Sequence, residues 1–212
     1  MFGLAFAAKN IRRYVCKVIS ETHGDENTGT GFFVDLNDKY VVTCRHNLYR
    51  EDGQPRTVLE VTNEGNVIPV TECLKFWNVD LALLTIPGEC NLPYLLHDNS
   101  EILDEILTAG FPNVALRVEN PLLIHRGEIA GKIHEHDGPD ERVIISARVA
   151  PGTSGGPVLS KNGGYCGIVD QQIEVKTDYY TTQHQSTIPS NVLVNEFISG
   201  NYTKEELRQV KR

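Results

Sequence analysis

The sequence RVAPGTSGGPVLS, residues 148–160, places one serine, Ser154, in a glycine-rich turn between two apolar runs. Glycine permits backbone conformations that other residues avoid, so this segment is either a tight connection between two strands or a turn that presents a nucleophile. A serine hydroxyl attacks a carbonyl only when a base removes its proton, and histidine is the usual base near neutral pH. The rest of the chain decides between the two interpretations.

His46 is the best candidate base among the seven histidines. It follows the apolar run KYVVTC (39–44), and functional groups are often placed near the end of a buried strand. An alternative is that His46 is a structural histidine satisfied by local hydrogen bonds. Four other histidines lie in polar, turn-like sequence and are predicted to be solvated loop residues: His23, His97, His134 and His136.

Asp80 is the candidate for a group that orients His46. It stands at the start of the apolar run LALLTI (81–86), where a carboxylate can be shielded from water. A simpler alternative is that Asp80 caps this strand. Most other acidic residues after His46 lie in turns or polar clusters, such as Asp52, Asp98 and Asp137.

The composition is typical of a soluble globular protein that can bury a good core as one domain or two small ones. The chain has 212 residues, of which 40% are hydrophobic and 23% are charged. Its net charge of −8 argues against a general nucleic-acid binder, which needs a basic face. The apolar start MFGLAFAA (1–8) is too short for a membrane span and lacks a basic flank, so we expect an N-terminal arm; an unusual export signal is the alternative.

The five cysteines predict thiols rather than a disulfide framework. Their number is odd, and no two of them have CxxC spacing. We therefore expect reduced, mostly buried cysteines and a cytoplasmic location. The cysteines are not clustered as a zinc site needs, and the pair His134 and His136 beside acidic residues is only weak evidence for a metal, so no metal and no cofactor is predicted.

Short apolar runs rich in Val, Ile, Phe and Tyr predict an all-β fold with many short strands. The stretch 87–100 is the best boundary between two halves, because it holds two prolines, a glycine and several turn formers. One helix is predicted after Pro189, ending before Gly200. Polar residues from Thr203 onward are expected to add a turn or to fray.

In their order and context, His46, Asp80 and Ser154 resemble the triad of chymotrypsin-like (trypsin-fold) serine peptidases, and most closely that of HtrA-type and related bacterial members. The similarity covers roughly residues 10–198, and GxSGGP after such a histidine and a DLAL segment is a specific combination. The matching segments are GTGFFV (29–34), VVTCRHNL (41–48), DLALLTI (80–86), AGFP (109–112), RGEIAG (126–131), PGTSGGPVLS (151–160), GYCGIVD (164–170) and STIPSNV (186–192).

This resemblance implies two antiparallel six-stranded β-barrels of the chymotrypsin type with a C-terminal helix, and an active site in the cleft between the barrels. Because about fourteen residues remain after residue 198, no PDZ-type domain is expected to follow. The implied units are a first barrel at 1–95 with His46 and Asp80, a second barrel at 96–190 with Ser154, and a helix and tail at 191–212.

The resemblance also implies a serine endopeptidase that cleaves polypeptides through an acyl-enzyme. Ser154 would attack the scissile carbonyl, His46 would take and return the proton, and Asp80 would fix the histidine tautomer. The backbone N–H groups of Gly152 and Ser154 would form the oxyanion hole.

Two departures from the secreted, digestive type shift the resemblance toward enzymes without a zymogen stage. Thr153 stands where many secreted members have an aspartate that pairs with a freshly cut N-terminus. The histidine lies in TCRHN (43–47) rather than AAHC, so the neighbouring disulfide is missing as well. Activation by N-terminal cleavage is therefore not expected, and restraint by a regulatory protein partner is one possibility.

Specificity is predicted from the position six residues before the nucleophile, which is acidic in relatives that select Lys or Arg. Here that position is Arg148, followed by Val149. If Val149 lines the pocket, a small or aliphatic residue should precede the cut. If Arg148 or His184 reaches in, an acidic residue should be preferred.

Asp170, Gln171 and Gln172 are predicted to border the substrate from a neighbouring strand. Such a strand usually offers its backbone to an extended peptide by β-addition. Asp170 is also the one nearby acid that could favour a basic side chain in the pocket.

Two other functions compete with the peptidase. A catalytically silent trypsin-fold module could hold a peptide in the same cleft, although it would not need to keep a complete triad. An esterase on an unrelated hydrolase fold would place its serine between a strand and a helix, with the histidine after the serine. Here the histidine comes first and strands follow the serine, so the esterase is disfavoured.

Overall fold

The computed structural model describes residues 4–22, 24–50, 53–88, 92–114, 121–134, 141–176 and 181–207. Within these ranges the chain forms two β units, one built mainly from the first half of the chain and one from the second half. The all-β class and the C-terminal helix are confirmed. No helix in this part of the chain is long and apolar enough to cross a membrane.

The first unit is an antiparallel sheet whose strands have the order β14-β6-β7-β3-β2-β1-β4-β5. Its strands are β1 (Val15–Thr22), β2 (Asp25–Asp35), β3 (Lys39–Cys44), β4 (Thr57–Asn63), β5 (Asn66–Val67), β6 (Glu72–Phe76), β7 (Leu81–Thr85) and β14 (Tyr202–Glu206). The described sheet thus has eight strands where six were expected. A short hairpin strand, β5, and a strand from the C-terminal end, β14, account for the difference.

The second unit is a closed barrel of six strands in the order β10-β13-β12-β11-β8-β9. Its strands are β8 (Glu105–Gly110), β9 (Leu123–His134), β10 (Glu141–Ile145), β11 (Pro157–Ser160), β12 (Tyr165–Lys176) and β13 (Thr181–Pro189). Closure of the barrel leaves its strands without free edges. The chain crosses between the units where Leu95 bridges to Val34 of the sheet and His97 bridges to Tyr165 of the barrel.

Strands β3 and β7 are central to the first sheet because both of their faces are covered. All residues of KYVVTC after Lys39 are buried, and so are all residues of LALLT before Thr85. Unbroken apolar runs of this kind are typical of strands that are buried on both faces. This pair of strands is the framework on which the first half of the site is built.

Among the described residues, three clusters of buried side chains form the core, and the largest joins the two units. In that cluster Phe32 of the sheet packs on Tyr165 of the barrel, with ring centroids 5.2 Å apart. The second cluster lies within the first sheet and the third within the barrel. The shared core holds the units together and fixes the walls of the cleft between them.

Two segments differ from the sequence-based expectation. The predicted N-terminal arm contains helix α1 (Leu4–Asn10), followed by a 3-10 turn at Ile11–Arg13. The predicted C-terminal helix is α2 (Ser190–Ser199), but the described segment after it, Tyr202–Glu206, neither adds a turn nor frays. It forms β14 and pairs with β6, because its alternating side chains can cover the open edge of the first sheet.

The cysteines within the described ranges are free and buried, as predicted: Cys16, Cys44, Cys73 and Cys166. Cys90 lies outside the described residues. Burial raises the pKa of the Cys73 thiol to about 12 and that of Cys166 to about 11, so both remain protonated near neutral pH. These cysteines are core residues.

Candidate active site

His46 and Asp80 are brought together by the pairing of β3 with β7. These strands are antiparallel and place Cys44 opposite Leu81, so the end of β3 lies beside the start of β7. His46 lies in the 3-10 turn Arg45–Asn47, directly after β3. Asp80 immediately precedes β7. Two residues 34 positions apart therefore meet at one edge of the sheet.

The carboxylate of Asp80 binds both the ring and the backbone N–H of His46. Asp80 Oδ2 lies 2.5 Å from His46 Nδ1, and Asp80 Oδ1 accepts a hydrogen bond from the backbone N–H of His46 at 3.0 Å. Arg45 flanks the carboxylate, with Nε 3.6 Å from Asp80 Oδ1. Because Nδ1 faces the carboxylate, Nε2 is the ring atom left to exchange a proton in the cleft.

The pKa values of His46 and Asp80 shift in the directions that suit a base and its orienting group. Burial lowers the pKa of His46, but the hydrogen bond and charge of Asp80, with the charge of Asp170, more than offset this, so the pKa lies above its ordinary value. Burial raises the pKa of Asp80, but His46 and Arg45 hold it below its ordinary value. Asp80 is thus ionised wherever His46 titrates.

Ser154 lies on a turn that is held from both β units. Its carbonyl oxygen accepts a hydrogen bond from the backbone N–H of Thr30 at 3.0 Å, and the N–H of Gly155 donates to Val169 O at 2.7 Å. Gly155 has φ +86°, and a Cβ there would lie 2.2 Å from Thr30 O. Only glycine fits at this close approach.

A cleft of about 420 Å³ contains all three residues of the predicted triad. Its lining residues are His46, Asp80, Val149, Ala150, Pro151, Ser154, Asp170 and Gln171. The hydrogen bonds of the described residues join Asp80 to His46 but do not join His46 to the Ser154 hydroxyl. In free enzymes such a bond is often long and tightens only when substrate binds.

The loop before Ser154 leaves two backbone donors available. Gly152 has φ +97°, and a Cβ there would lie 2.5 Å from Phe111 O, so the position requires glycine. The described residues offer no acceptor to the backbone N–H of Gly152 or of Ser154. Two unused N–H groups beside a nucleophile are what an oxyanion hole needs.

Thr153 closes this loop on itself. Its buried hydroxyl donates to Ala150 O at 2.7 Å and accepts a hydrogen bond from the Ala150 N–H at 3.2 Å. Its backbone N–H also donates to Ala150 O at 3.0 Å. A neutral hydroxyl therefore holds the loop locally at the position where secreted relatives use a charged pair.

Thr153→Val keeps the side-chain shape but removes both hydroxyl hydrogen bonds, so we expect kcat/KM to fall by about tenfold to a hundredfold. Thr153→Ser keeps the hydroxyl and should stay near wild type. Steady-state kinetics on one peptide substrate compares the variants. Wild-type kinetics in Thr153→Val, or equal damage in Thr153→Ser, would contradict this role.

Asn47 connects the histidine turn directly to the nucleophile turn. Its side chain is 3% exposed, and Nδ2 donates to Ser154 O at 2.9 Å and to Thr43 Oγ1 at 3.0 Å. Because Asn47 follows His46 in the chain, one buried amide links the two walls of the cleft. Gly29 leaves room for it, since a Cβ there would lie 2.3 Å from Asn47 Cγ.

Asn47→Ala should lower kcat by about tenfold with little change in KM, because the carbonyl of Ser154 loses a buried donor and the nucleophile turn loosens. Asn63→Ala is the matched control. Asn63 is also buried and donates to two backbone carbonyls, those of Arg12 and Val15, away from the cleft. Kinetics and thermal denaturation of both variants separate the effects; an equal loss of kcat in Asn63→Ala would mean that Asn47 acts through stability alone.

Val149 lines the cleft and is half-buried, whereas Arg148 is exposed and is not among the lining residues. His184 is also exposed, on β13 opposite Ile173. Of these three residues, only Val149 lines the cleft, and the preference for a small or aliphatic residue before the cut stays a prediction.

Asp170 and Gln171 also line the cleft, on the strand predicted to border the substrate. Asp170 is buried, and its carboxylate is ion-paired with Arg142 Nη1 at 2.6 Å. Gln172 lies in the same strand, opposite Gln185, and its side chain lies outside the described part of the structure. The ion pair makes Asp170 a poor partner for a basic substrate side chain.

Four side chains near the triad have the atom types of a metal site. Cys44, His46, Asp80 and Asp170 each offer one donor atom, and these atoms lie within 4.8 Å of one another. Each of the four side chains already has a polar contact, and Asp170 is ion-paired with Arg142. We interpret the cluster as a hydrogen-bonded ion-pair network.

Two packed β units, with a serine, a histidine and an aspartate in the cleft between them, define the trypsin-like double-barrel fold. The chain belongs to the trypsin-like peptidase family, since the family model described as "Trypsin-like peptidase domain" matches residues 29–168.

A relative from Chlamydia pneumoniae, named "Probable periplasmic serine endoprotease DegP-like", is 31% identical over 143 residues. The match covers 66% of this chain but only 28% of that protein.

Solved structures agree on the fold. The active form of the Rv3671c protease of M. tuberculosis has a TM-score of 0.71 at 19% identity, covering 97% of this chain and 86% of that one. The HtrA-type protease AlgW with a decapeptide has a TM-score of 0.71 at 17% identity. The match covers 92% of this chain and 66% of that one. At these identities the likeness shows the fold alone.

Three residues that the sequence reasoning missed contribute to the site: Thr30, Asn47 and Arg142. Thr30 Oγ1 donates to Gly152 O at 2.7 Å and accepts from the Phe111 N–H at 2.9 Å, which connects the loop before Ser154 to the first sheet. The only signal in the sequence was for Arg142, a charged residue that precedes the apolar run VII (143–145).

Proposed function

We propose that this protein is a serine endopeptidase that uses His46, Asp80 and Ser154 through an acyl-enzyme intermediate. The observation that carries the proposal is the Asp80–His46 pair, which faces the same cleft as a serine flanked by two unused backbone donors. A histidine held in one orientation by a half-buried carboxylate is poised to take a proton from that serine.

In the proposed reaction, His46 Nε2 takes the Ser154 hydroxyl proton as Oγ forms a bond to the scissile carbonyl carbon. The carbonyl oxygen becomes an oxyanion and accepts hydrogen bonds from the N–H groups of Gly152 and Ser154. The imidazolium, steadied by Asp80, then gives its proton to the leaving amine, and the C–N bond breaks. Water, deprotonated by His46, releases the acyl group in the same way.

The proposed substrate is an extended polypeptide that lies along β12, where Asp170 and Gln171 line the cleft. Strand addition of this kind supplies main-chain hydrogen bonds, and the pocket supplies selectivity. AlgW, which shares the fold, was solved with a decapeptide, and this supports a peptide as the ligand proposed for the present chain.

Cleavage is expected after small or aliphatic residues, because Val149 lines the cleft while the charge of Asp170 is paired with Arg142. Mass spectrometry of a peptide library digested by the protein gives the preference at each position. A strong preference for Lys or Arg would show that Asp170 is available to the substrate and would contradict this prediction.

The test of the proposed function is incubation with a reduced, unfolded protein such as casein, followed by mass spectrometry of the fragments. New internal termini, absent from a parallel digestion with Ser154→Ala, support an endopeptidase. Saturable binding of the same unfolded chain without fragments would favour the catalytically silent module instead.

A further inference from the structure

Asp170 places a second carboxylate beside the proposed catalytic pair. It lies in β12 at the end of the apolar run GIV (167–169), is 2% exposed, and lines the cleft. One of its oxygens lies within 4.8 Å of a donor atom of His46 and of Asp80. His46 therefore has two carboxylates as close neighbours, of which only Asp80 hydrogen-bonds its Nδ1.

Arg142 forms an ion pair with Asp170 and offsets its charge. It lies in β10, its side chain is 8% exposed, and Nη1 is 2.6 Å from Asp170 Oδ2. A buried ion pair is weak evidence for stability, because apolar residues of similar volume often serve the fold as well or better. Because Asp170 lies close to His46, the proposed base, the pair can act on the charge state of His46.

The charges that face His46 come from four elements. Asp80 precedes β7 and Arg45 shares the turn of His46, while Asp170 comes from β12 and Arg142 reaches it from β10. Cys44, at the end of β3, adds a neutral thiol, because burial raises its pKa well above the ordinary value. Without Arg142, the charge of Asp170 would act on the histidine without this guanidinium to offset it, while Arg45 would still flank Asp80.

We infer that the Arg142–Asp170 ion pair is a positioning element that sets the proton affinity of His46, with Asp170 raising it and Arg142 restraining it. The inference rests on the proposed function for its consequence in catalysis. Because His46 must be neutral to act as a base, the ion pair sets the lowest pH at which the enzyme works.

The two partners are expected to have opposite effects. Asp170→Asn removes a carboxylate that lies close to the ring, so the pKa of His46 should fall by about one unit and the acid limb of kcat/KM should move to lower pH. Arg142→Met removes the guanidinium that pairs with Asp170, so the pKa of His46 should rise and the acid limb of kcat/KM should move to higher pH. Arg142→Lys should stay near wild type, and the double variant Arg142→Met with Asp170→Asn should lie between the single variants.

The matched control is Asp104→Asn, which breaks another ion pair of the same barrel, with Lys161, and should move neither quantity. The pKa of His46 is read directly by NMR titration of the histidine ring protons, with His46→Gln used only to assign the signal. Thermal denaturation checks folding. Should Arg142→Met fail to fold, Asp170→Asn and the double variant, which has no unpaired charge, still give the comparison.

The inference is supported if the His46 pKa shifts in opposite directions in Asp170→Asn and Arg142→Met and the acid limb of kcat/KM shifts with it. Equal His46 pKa values in all variants, or shifts of the two single variants in the same direction, would overturn it. If the variants show the expected shifts of the His46 pKa but the wild-type protein hydrolyses no peptide, the proposed function is refuted instead, so the two failures are distinguishable.

Discussion

Replacing Ser154 by alanine is expected to lower kcat for peptide hydrolysis by about 10⁶-fold, the size of loss seen when the nucleophile of such a triad is removed. The substitution deletes the atom that forms the acyl bond and leaves Gly152, Thr30 and Asn47 in place. Binding of substrate should therefore be retained while turnover is lost. Kinetics on a fluorogenic peptide, with peptide binding measured separately, gives both quantities.

Ser199→Ala is the control for this substitution, because Ser199 is an exposed residue at the end of α2, outside the cleft. It should have wild-type kinetics. A Ser154→Ala protein that keeps more than a small fraction of activity, after contaminating peptidases have been excluded, would remove Ser154 from its proposed role.

Asp80→Asn is expected to lower kcat by about 10⁴-fold. Asp80 Oδ2 accepts from His46 Nδ1, and this keeps Nε2 free of a proton and ready to act as the base. An amide at this position can donate to Nδ1 instead, which would stabilise the tautomer that carries its proton on Nε2. The loss should appear in kcat, with thermal stability little changed.

Asp98→Asn is the matched control for Asp80→Asn. Asp98 also accepts several hydrogen bonds, including those from Ser160 and Asn162, but it lies outside the cleft lining. It should change stability more than kcat. A comparable fall of kcat in both variants would mean that Asp80 supports the fold rather than the orientation of His46.

The half of the site built on β3 and β7 could be predicted because it depends on local patterns. An unbroken apolar run ends just before His46, and another begins just after Asp80. Antiparallel pairing of two central strands is then enough to bring the side chains together. The glycines around Ser154 were equally informative, since the backbone angle at Gly155 and its distance from Thr30 allow no other residue.

The contacts of Asn47 and Arg142 could not be predicted, because each depends on the relative placement of strands distant in sequence. Asn47 reaches Ser154 across 107 positions, and Arg142 reaches Asp170 across 28. No periodicity in the sequence specifies such pairs. The strand β14 was missed for the same reason, since a polar tail becomes a strand only when a sheet edge is available.

The location of the protein and its regulation stay predictions. Free, buried cysteines suit a reducing compartment and were the basis for expecting the cytoplasm, but thiols packed in a core do not depend on the compartment. The relative from C. pneumoniae is named as periplasmic. A regulatory protein partner likewise stays a prediction.

The most direct test of the central claim is to locate the covalent adduct that forms with a fluorophosphonate, a reagent that reacts with activated serine hydroxyls. Tryptic digestion and mass spectrometry should find one adduct, on the peptide that contains Ser154, and labelling should slow as the pH falls through the pKa of His46. It should be absent from Ser154→Ala and strongly reduced in His46→Ala. No adduct on the folded wild-type protein, or an adduct on another serine that persists in Ser154→Ala, would contradict the proposed triad.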